Sequence, residues 1–328
     1  MNVPQERGTD PLVSVIVPAY NCARYITDAI ESVLEQTYRN TEIVVVNDGS
    51  TDNLKEVLLP YRERGQIRYL YQNNSGPSTA RNKGMEVSRG EYLSFLDADD
   101  LFHPEHIESV VAFMRDYPRV DFVFTNYEVF GEGKVSCRSG VDRWKKFRSI
   151  PHYTLRHGQW LFVESITKYI IRYGGFAATS CVSLRRGALE GIELFREGFF
   201  YGEDDDFFCR VNYRRKAGYI DRVLVRKREH GESLIHNRRN ALRNTLHFIR
   251  LAELQREYYR DDPEIQEILD RKIPHLIFDY CWHLIDRKKF SDAQRMLVAS
   301  LRQYRRAYPL YKLLAKNYVS RLYRRLAL

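Results

Sequence analysis

Two aspartates at alternate positions, Asp97 and Asp99 in YLSFLDADD (residues 92–100), offer hard oxygen ligands at the end of an apolar run. If that run is a strand, alternate side chains share a face, so Asp97 and Asp99 point together while Ala98 and Asp100 point back. Such a pair suits Mg2+ or Mn2+, which take one or two carboxylates and complete their shell with water and substrate phosphates. The same residues would also suit a cap on the helix pattern near Pro104 or a solvated turn. Three crowded like charges nevertheless call for a counterion. Asp48 stands in NDGSTD (47–52) after another apolar run, where it is placed to accept from a base or sugar or to form a plain turn. NNSGPSTARNKG (73–84) joins a glycine turn, a proline at a first helical position and Arg81, whose planar fork matches phosphate. Taken alone, that stretch is equally a well-capped helix with a solvated arginine. GEDDDFF (202–208) opens a helix pattern with Glu203 and Asp204, acids that the helix dipole favours and that can also serve as a general base. His230, in REHGES, is a lone histidine, a ligand or a structural residue.

The elements that must hold these residues are readable. Short β-branched runs at 13–17, 42–46, 67–71, 92–96 and 121–125 are nearly continuous in apolar character, as strands covered on both faces require. Between the first two, Ile26, Ala29, Ile30, Val33 and Leu34 recur at helical spacing. Strand alternating with helix predicts a doubly wound, Rossmann-like α/β sheet. Ligands in such sheets bind beyond the carboxyl ends of the strands, and the four loops there carry Pro18, Ala19 and Tyr20, then Asp48, then Asn74 and Gly76, then Asp97 to Asp100. Further along, 138–148 reads as a basic loop, 159–171 as a helix, 177–184 and 218–230 as strands, and the chain from about 236 onward as helical.

Composition narrows the function classes. With 328 residues and 44% hydrophobic content the chain can bury a sizeable core, which argues against disorder. No apolar run is long enough to cross a bilayer, and MNVPQERGTD lacks the order of a signal peptide, so a cytoplasmic protein is expected. The five cysteines (Cys22, Cys137, Cys181, Cys209, Cys281) show no CxxC spacing and read as reduced thiols. The net charge of +9 equals the nine Lys and Arg between Ala293 and Leu328, a stretch without Asp or Glu; the rest sums to zero. The basic character therefore belongs to a C-terminal attachment and does not form the stripe of a nucleic-acid binder. In that attachment, YPLYKLLAKNYVSRLYRRLAL interleaves apolar and basic residues. This is the pattern of a helix lying on anionic lipid, or of one packed on its own domain or an oligomer partner.

Taken in order, PLVSVIVPAYNCARYITDAIESVLEQTY, IVVVNDGSTD, NNSGPSTARNKG, YLSFLDADD and GEDDDFFCRV resemble the inverting family 2 glycosyltransferases of GT-A fold, over roughly residues 11–235. The resemblance implies a GT-A domain over 1–235, with an all-α extension over 236–328. It implies a metal-dependent transfer of sugar from a nucleotide-sugar, most often a UDP-sugar, to a glycan or lipid-linked glycan acceptor, with Mn2+ or Mg2+ as cofactor. By its motifs, Pro18, Ala19 and Tyr20 lie against the nucleoside and Asp48 contacts the base. Arg81 lies near base and phosphate, and Asn74, Gly76 and Ala98 complete the donor-binding set. Asp97 and Asp99 form the DxD pair, with Asp99 on the metal. Asp204, beside Glu203, matches the catalytic base, and His230 with Ser233 matches a pair that closes on diphosphate and metal. Asn47 departs from the more usual acidic residue at its position. Two rival functions are a nucleotidyltransferase and a nucleotide-sugar binding module without turnover. The first wants a basic glycine-rich loop that PAYNCARY is not, and the second has no need of both acidic motifs.

Overall fold

A computed structural model describes residues 10–304 except 132–133, 145, 176, 200 and 231–240, and beyond them residues 312–314 and 316. The chain divides into two compact units, one of residues 1–198 and 207–230, the other of 199–206 and 231–328.

The first unit is built on a mixed sheet in the order β3-β2-β1-β4-β10-β6-β11-β9-β8, with β5 paired to β11 and β7 to β6. Its leading strands are β1 (Val13–Ala19), β2 (Thr41–Asp48), β3 (Arg68–Gln72) and β4 (Tyr92–Phe95), with a two-residue β5 (Leu101–Phe102). The remaining strands are β6 (Val120–Gly131), β7 (Lys134–Cys137), β8 (His152–Thr154), β9 (Gln159–Phe162), β10 (Val182–Arg185) and β11 (Lys216–Arg228). β1 pairs in parallel with both β2 and β4, so the chain winds outward on one side of β1 and then returns to its other side. That reversal is a topological switch point, where doubly wound sheets bind ligands. β10 runs antiparallel between β4 and β6, and β6 is parallel to β11, so the ends of β1, β2, β3, β4 and β11 share one edge.

The apolar runs explain the wrapping. Every residue of β4 and nearly every residue of β1 is buried, as in strands with helices on both faces. α1 (Ile26–Leu34) buries Ile26, Ala29, Ile30 and Val33, the predicted stripe. α2 (Leu54–Glu63) follows β2, and α3 (Pro77–Val87) starts with Pro77 at its first turn. Val44, Val46 and Ala80 close the core between β2 and α3. α4 (His106–Asp116) follows β5. α5 (Thr167–Tyr173) and most of α6 (Glu203–Arg214) complete this unit, and the second unit contains α7 (Ala241–Tyr258), α8 (Pro263–Asp286) and α9 (Phe290–Gln303).

The local expectations hold with two corrections. Residues 159–171 are not one helix. Trp160 and Phe162 alternate with the less buried Gln159 and Leu161, a period of two that makes β9, and the helix begins only at Thr167. In 177–184, Thr179–Cys181 form a 3-10 turn and the strand starts at Val182. Among the described residues no helix is long and apolar enough to cross a membrane.

Candidate functional site

At the switch point three loops are tied together by their own polar groups. Asn21, in a left-handed conformation (φ 48°) that asparagine tolerates, donates its N–H to Ser50 Oγ (3.0 Å), and its Oδ1 accepts from the N–H of Thr51 (2.8 Å). The N–H of Ala23 reaches Asp52 Oδ2 at 2.9 Å. Gly49 has φ +71°, and a Cβ there would lie 2.5 Å from the backbone N of Asn74, so only glycine allows the second loop to touch the third. On this frame Pro18 is half-buried, Ala19 is buried and Tyr20 is exposed, a platform for a flat group.

Asp48 ends β2 and is nearly buried. Its Oδ1 accepts from Gln72 Nε2 (2.7 Å) and the N–H of Ser75 (2.8 Å), and its Oδ2 from the N–H of Gly76 (2.8 Å). A carboxylate has about four lone-pair sites. Two are therefore spent on shaping the Asn74–Gly76 loop and one on Gln72 of β3, which leaves one for a further donor. Asn47, the departure noted above, accepts from the N–H of Ser50 (2.9 Å) and donates to the Tyr69 hydroxyl (2.9 Å), a neutral brace within the same loop.

The DADD stretch corrects one step of the sequence argument. β4 stops at Phe95, and residues 97–100 form a turn in which the N–H of Asp100 donates to the Asp97 carbonyl (3.0 Å). Strand alternation therefore does not orient these carboxylates. Their partners do. Asp97 Oδ1 pairs with Arg81 Nη2 (2.9 Å), and the Asp97 N–H is held by Ser180 Oγ (3.0 Å). Burial pushes the Asp97 carboxyl up, but Arg81 and Lys227 outweigh it and hold it below the usual carboxylate range. Asp99 Oδ2 lies 3.0 Å from His230 Nε2, and both side chains remain partly open to solvent. The His230 ring stacks on Tyr25 at 4.8 Å. Asp100 is fully buried, accepting from Ser180 Oγ (2.7 Å) and from the N–H of Arg228 (2.9 Å), with Lys227 Nζ at 4.0 Å. Burial pushes its carboxyl up to about 7, helped by Asp99 and Asp97 and opposed by Lys227 and Ser180. Lys227 is pushed up in turn, chiefly by Asp100.

Two of the counterions that the crowded acids demand, Arg81 and Lys227, thus come from the chain itself. Arg81 serves Asp97, His230 meets Asp99 and Lys227 sits by Asp100, so repulsion alone does not single out a metal. Among the described residues no group of three or more His, Cys, Asp and Glu is arranged to hold one. The donor set still fits a cation of the Mg2+ or Mn2+ type, because Asp99 and His230 offer two ligands side by side at a partly open position and substrate phosphates can supply the rest. Ala98 is buried beneath the turn.

Arg81, Asp97, Asp99 and His230 therefore come together, and Asp48, Asn74 and Gly76 form the neighbouring loop. Glu203 and Asp204 open α6 and fall in the second unit; there Asp204 Oδ1 accepts from the N–H of Asp205 (2.8 Å), and the Asp206 N–H reaches the Gly202 carbonyl (3.0 Å). Ser233 and most of the basic C-terminal stretch lie outside the described residues. Sequence reasoning missed Tyr25, Ser180, Lys227 and Arg228. The only available signal was the cationic pair placed just ahead of His230 at the end of a strand.

Comparison with known proteins places the chain in a family and matches its fold. Residues 14–189, more than half of the chain, match the model of the family described as Glycosyl transferase family 2. The uncharacterized glycosyltransferase RP339 of Rickettsia prowazekii is 32% identical over 242 residues, 71% of this chain and 68% of that protein. A longer glycosyltransferase of Rickettsia felis is matched over only 34% of its length. The putative teichuronic acid biosynthesis glycosyltransferase TuaG of Bacillus subtilis is 40% identical over 125 residues, 37% of this chain and 49% of its own. Among solved structures, S. aureus TarS 1-349 in complex with UDP-GlcNAc superposes with a TM-score of 0.63 at 20% identity, covering 95% of this chain and 91% of that one, a likeness of fold.

Proposed function

The chain belongs to glycosyl transferase family 2, and from that footing we propose that it moves a sugar, by inversion, from a nucleotide-sugar to a hydroxyl of a glycan or lipid-linked glycan acceptor in the making of surface polysaccharide. The donor is a UDP-sugar in this reading. The observation that carries it is the pairing of Arg81 with Asp97 and of Asp99 with His230 at one switch point, beside three interlocked loops. The name of TuaG and the nucleotide-sugar bound to TarS support the substrate class.

Tyr20 and the Asn74–Gly76 loop would take the nucleoside, with Asp48 accepting from the base through its remaining lone pair. Departure of a nucleoside diphosphate leaves negative charge on its terminal phosphate. Arg81, fixed by Asp97, and Lys227 bring permanent positive charge to that edge of the sheet. Asp99 and His230 would hold Mg2+ or Mn2+ with Asp97 alongside, and such an ion, when bound, supplies Lewis-acid charge to the departing diphosphate. Asp204, with Glu203 beside it, takes the proton of the acceptor hydroxyl as that oxygen bonds to the anomeric carbon and the bond to the diphosphate breaks. One displacement from the opposite face inverts the configuration.

This assignment makes a direct demand on two residues. Asp99→Ala and Asp204→Asn should each lower sugar transfer by roughly 100-fold or more while the melting temperature stays near that of the parent. Parental turnover in either variant would remove that residue from the mechanism.

A further inference from the structure

Arg228 ties two separate parts of the first unit together through three hydrogen bonds. Its backbone N–H donates to Asp100 Oδ1 (2.9 Å), its Nε donates to the carbonyl of Asp99 (2.9 Å) and its Nη2 donates to Asp28 Oδ2 (2.8 Å), in the first turn of α1. The guanidinium lies over the Tyr25 ring at 5.0 Å and over Phe130 at 4.7 Å. Tyr25 is the residue on which His230 stacks, and His230 in turn meets the Asp99 carboxylate. Two features of the sheet bring these groups together. Leu101 and Phe102 leave the acidic turn as β5 and pair antiparallel with Arg226 and Val225, which delivers Lys227 and Arg228 to the turn. β11 carries register shifts between Ile220 and Val225, so its end is bent relative to a regular ladder.

We propose that Arg228 is a positioning residue for transfer. It locks the backbone of the Asp97–Asp100 turn to the start of α1, so that the Asp99 carboxylate and the His230 ring are set before a donor arrives. Its planar fork is what the job requires, because Nε and Nη2 point to two acceptors in fixed directions, one on the turn and one on the helix. A lysine ammonium offers the same charge from a single point and cannot span both. Asp28 is the far anchor of the brace: its side chain is 56% exposed, so replacing it disturbs little besides this contact. The proposal rests on the donor-site reading above.

The test is a double-mutant cycle on the full chain with Arg228→Gln, Asp28→Ala and the pair together, plus Arg228→Lys. Nucleotide release from UDP-, GDP- and dTDP-sugars with Mn2+ is followed against donor concentration. Arg228→Gln should lower kcat roughly 10- to 100-fold, the cost of a misplaced catalytic group, with a smaller change in KM. Asp28→Ala should lower kcat by a lesser factor and add nothing in the Arg228→Gln background, and Arg228→Lys should fail to restore the rate. Additive effects, or rescue by lysine, would show that Arg228 contributes only charge or general stability, and would overturn the proposal. If Arg228→Gln does not fold, Asp28→Ala alone decides, since it removes the acceptor and an unchanged kcat there contradicts the brace. A parent protein that turns over none of these donors removes the donor-site reading and this proposal with it, whereas an active parent matched by Arg228→Gln removes only the proposal.

Discussion

At the scale of single residues, the acidic turn teaches most. Spacing drew Asp97 and Asp99 together and a helix start singled out Arg81, but the strand alternation expected of the two acids ends at Phe95, before it reaches them. What sequence could not convey is which side chain each acid meets from another segment: Arg81 for Asp97, His230 for Asp99 and Lys227 for Asp100. Arg81 lies 16 positions from Asp97, whereas His230 lies 131 from Asp99, a separation that only β11 closes. Another buried group escaped notice because nothing in its neighbourhood marks it. His106 is fully buried on α4, stacked on Phe102 at 4.0 Å, and burial lowers its pKa to about 3 from 6.5, with a small further push from His103. A base whose pKa falls on folding binds its proton more readily in the unfolded chain. The stability it permits is therefore whole above about pH 6.5 and is lost as the pH falls toward 3, at up to about 1.4 kcal/mol per pH unit. Asp100, raised to about 7 in the folded state, pulls the opposite way over part of that range, so the comparison must be between variants. Urea unfolding at pH 7 and pH 5 should show the parent losing roughly 2 kcal/mol more than His106→Leu between the two. Equal losses would mean that His106 is not held neutral.

At the scale of elements, β1 to β4 and the helices between them were readable because long apolar runs and one-faced helices leave few alternatives. The 159–171 segment was not, since a short alternating strand followed by a short helix imitates one amphipathic stretch, and its partners on β11 and β8 come from elsewhere. The loops show the same division. Glycines and asparagines announced turns, but their mutual contact depends on Gly49 meeting the backbone of Asn74. Gly49→Ala would combine a left-handed conformation with that close approach, and should destabilise the first unit by roughly 1 to 3 kcal/mol. A lowered melting temperature with a raised donor KM is the expected pair of readings. A variant indistinguishable from the parent in both would show that the second and third loops are not interlocked.

On the scale of the whole molecule, the location of charge was more informative than its amount. The body is electrically balanced and the excess of basic residues gathers in the C-terminal stretch, outside the segment that matches the family. The second unit was recognisable as helical from the spacing of Leu242, Leu246 and Ile249, all within α7. The sugar, the acceptor and the linkage were not legible, because pocket shape depends on segments that carry no motif. In the proposed reading the strand-end site binds a nucleotide-sugar and breaks its bond to the diphosphate. That reading is tested most directly by incubating the full chain with UDP-, GDP- and dTDP-sugars and Mn2+, with and without a glycan acceptor, and measuring the nucleotide set free. Release from one nucleotide class, UDP-sugars first, stimulated by acceptor and lost in Asp99→Ala, is the expected result; release from none of them, or equal release by Asp99→Ala, would show that this site does not cleave a nucleotide-sugar.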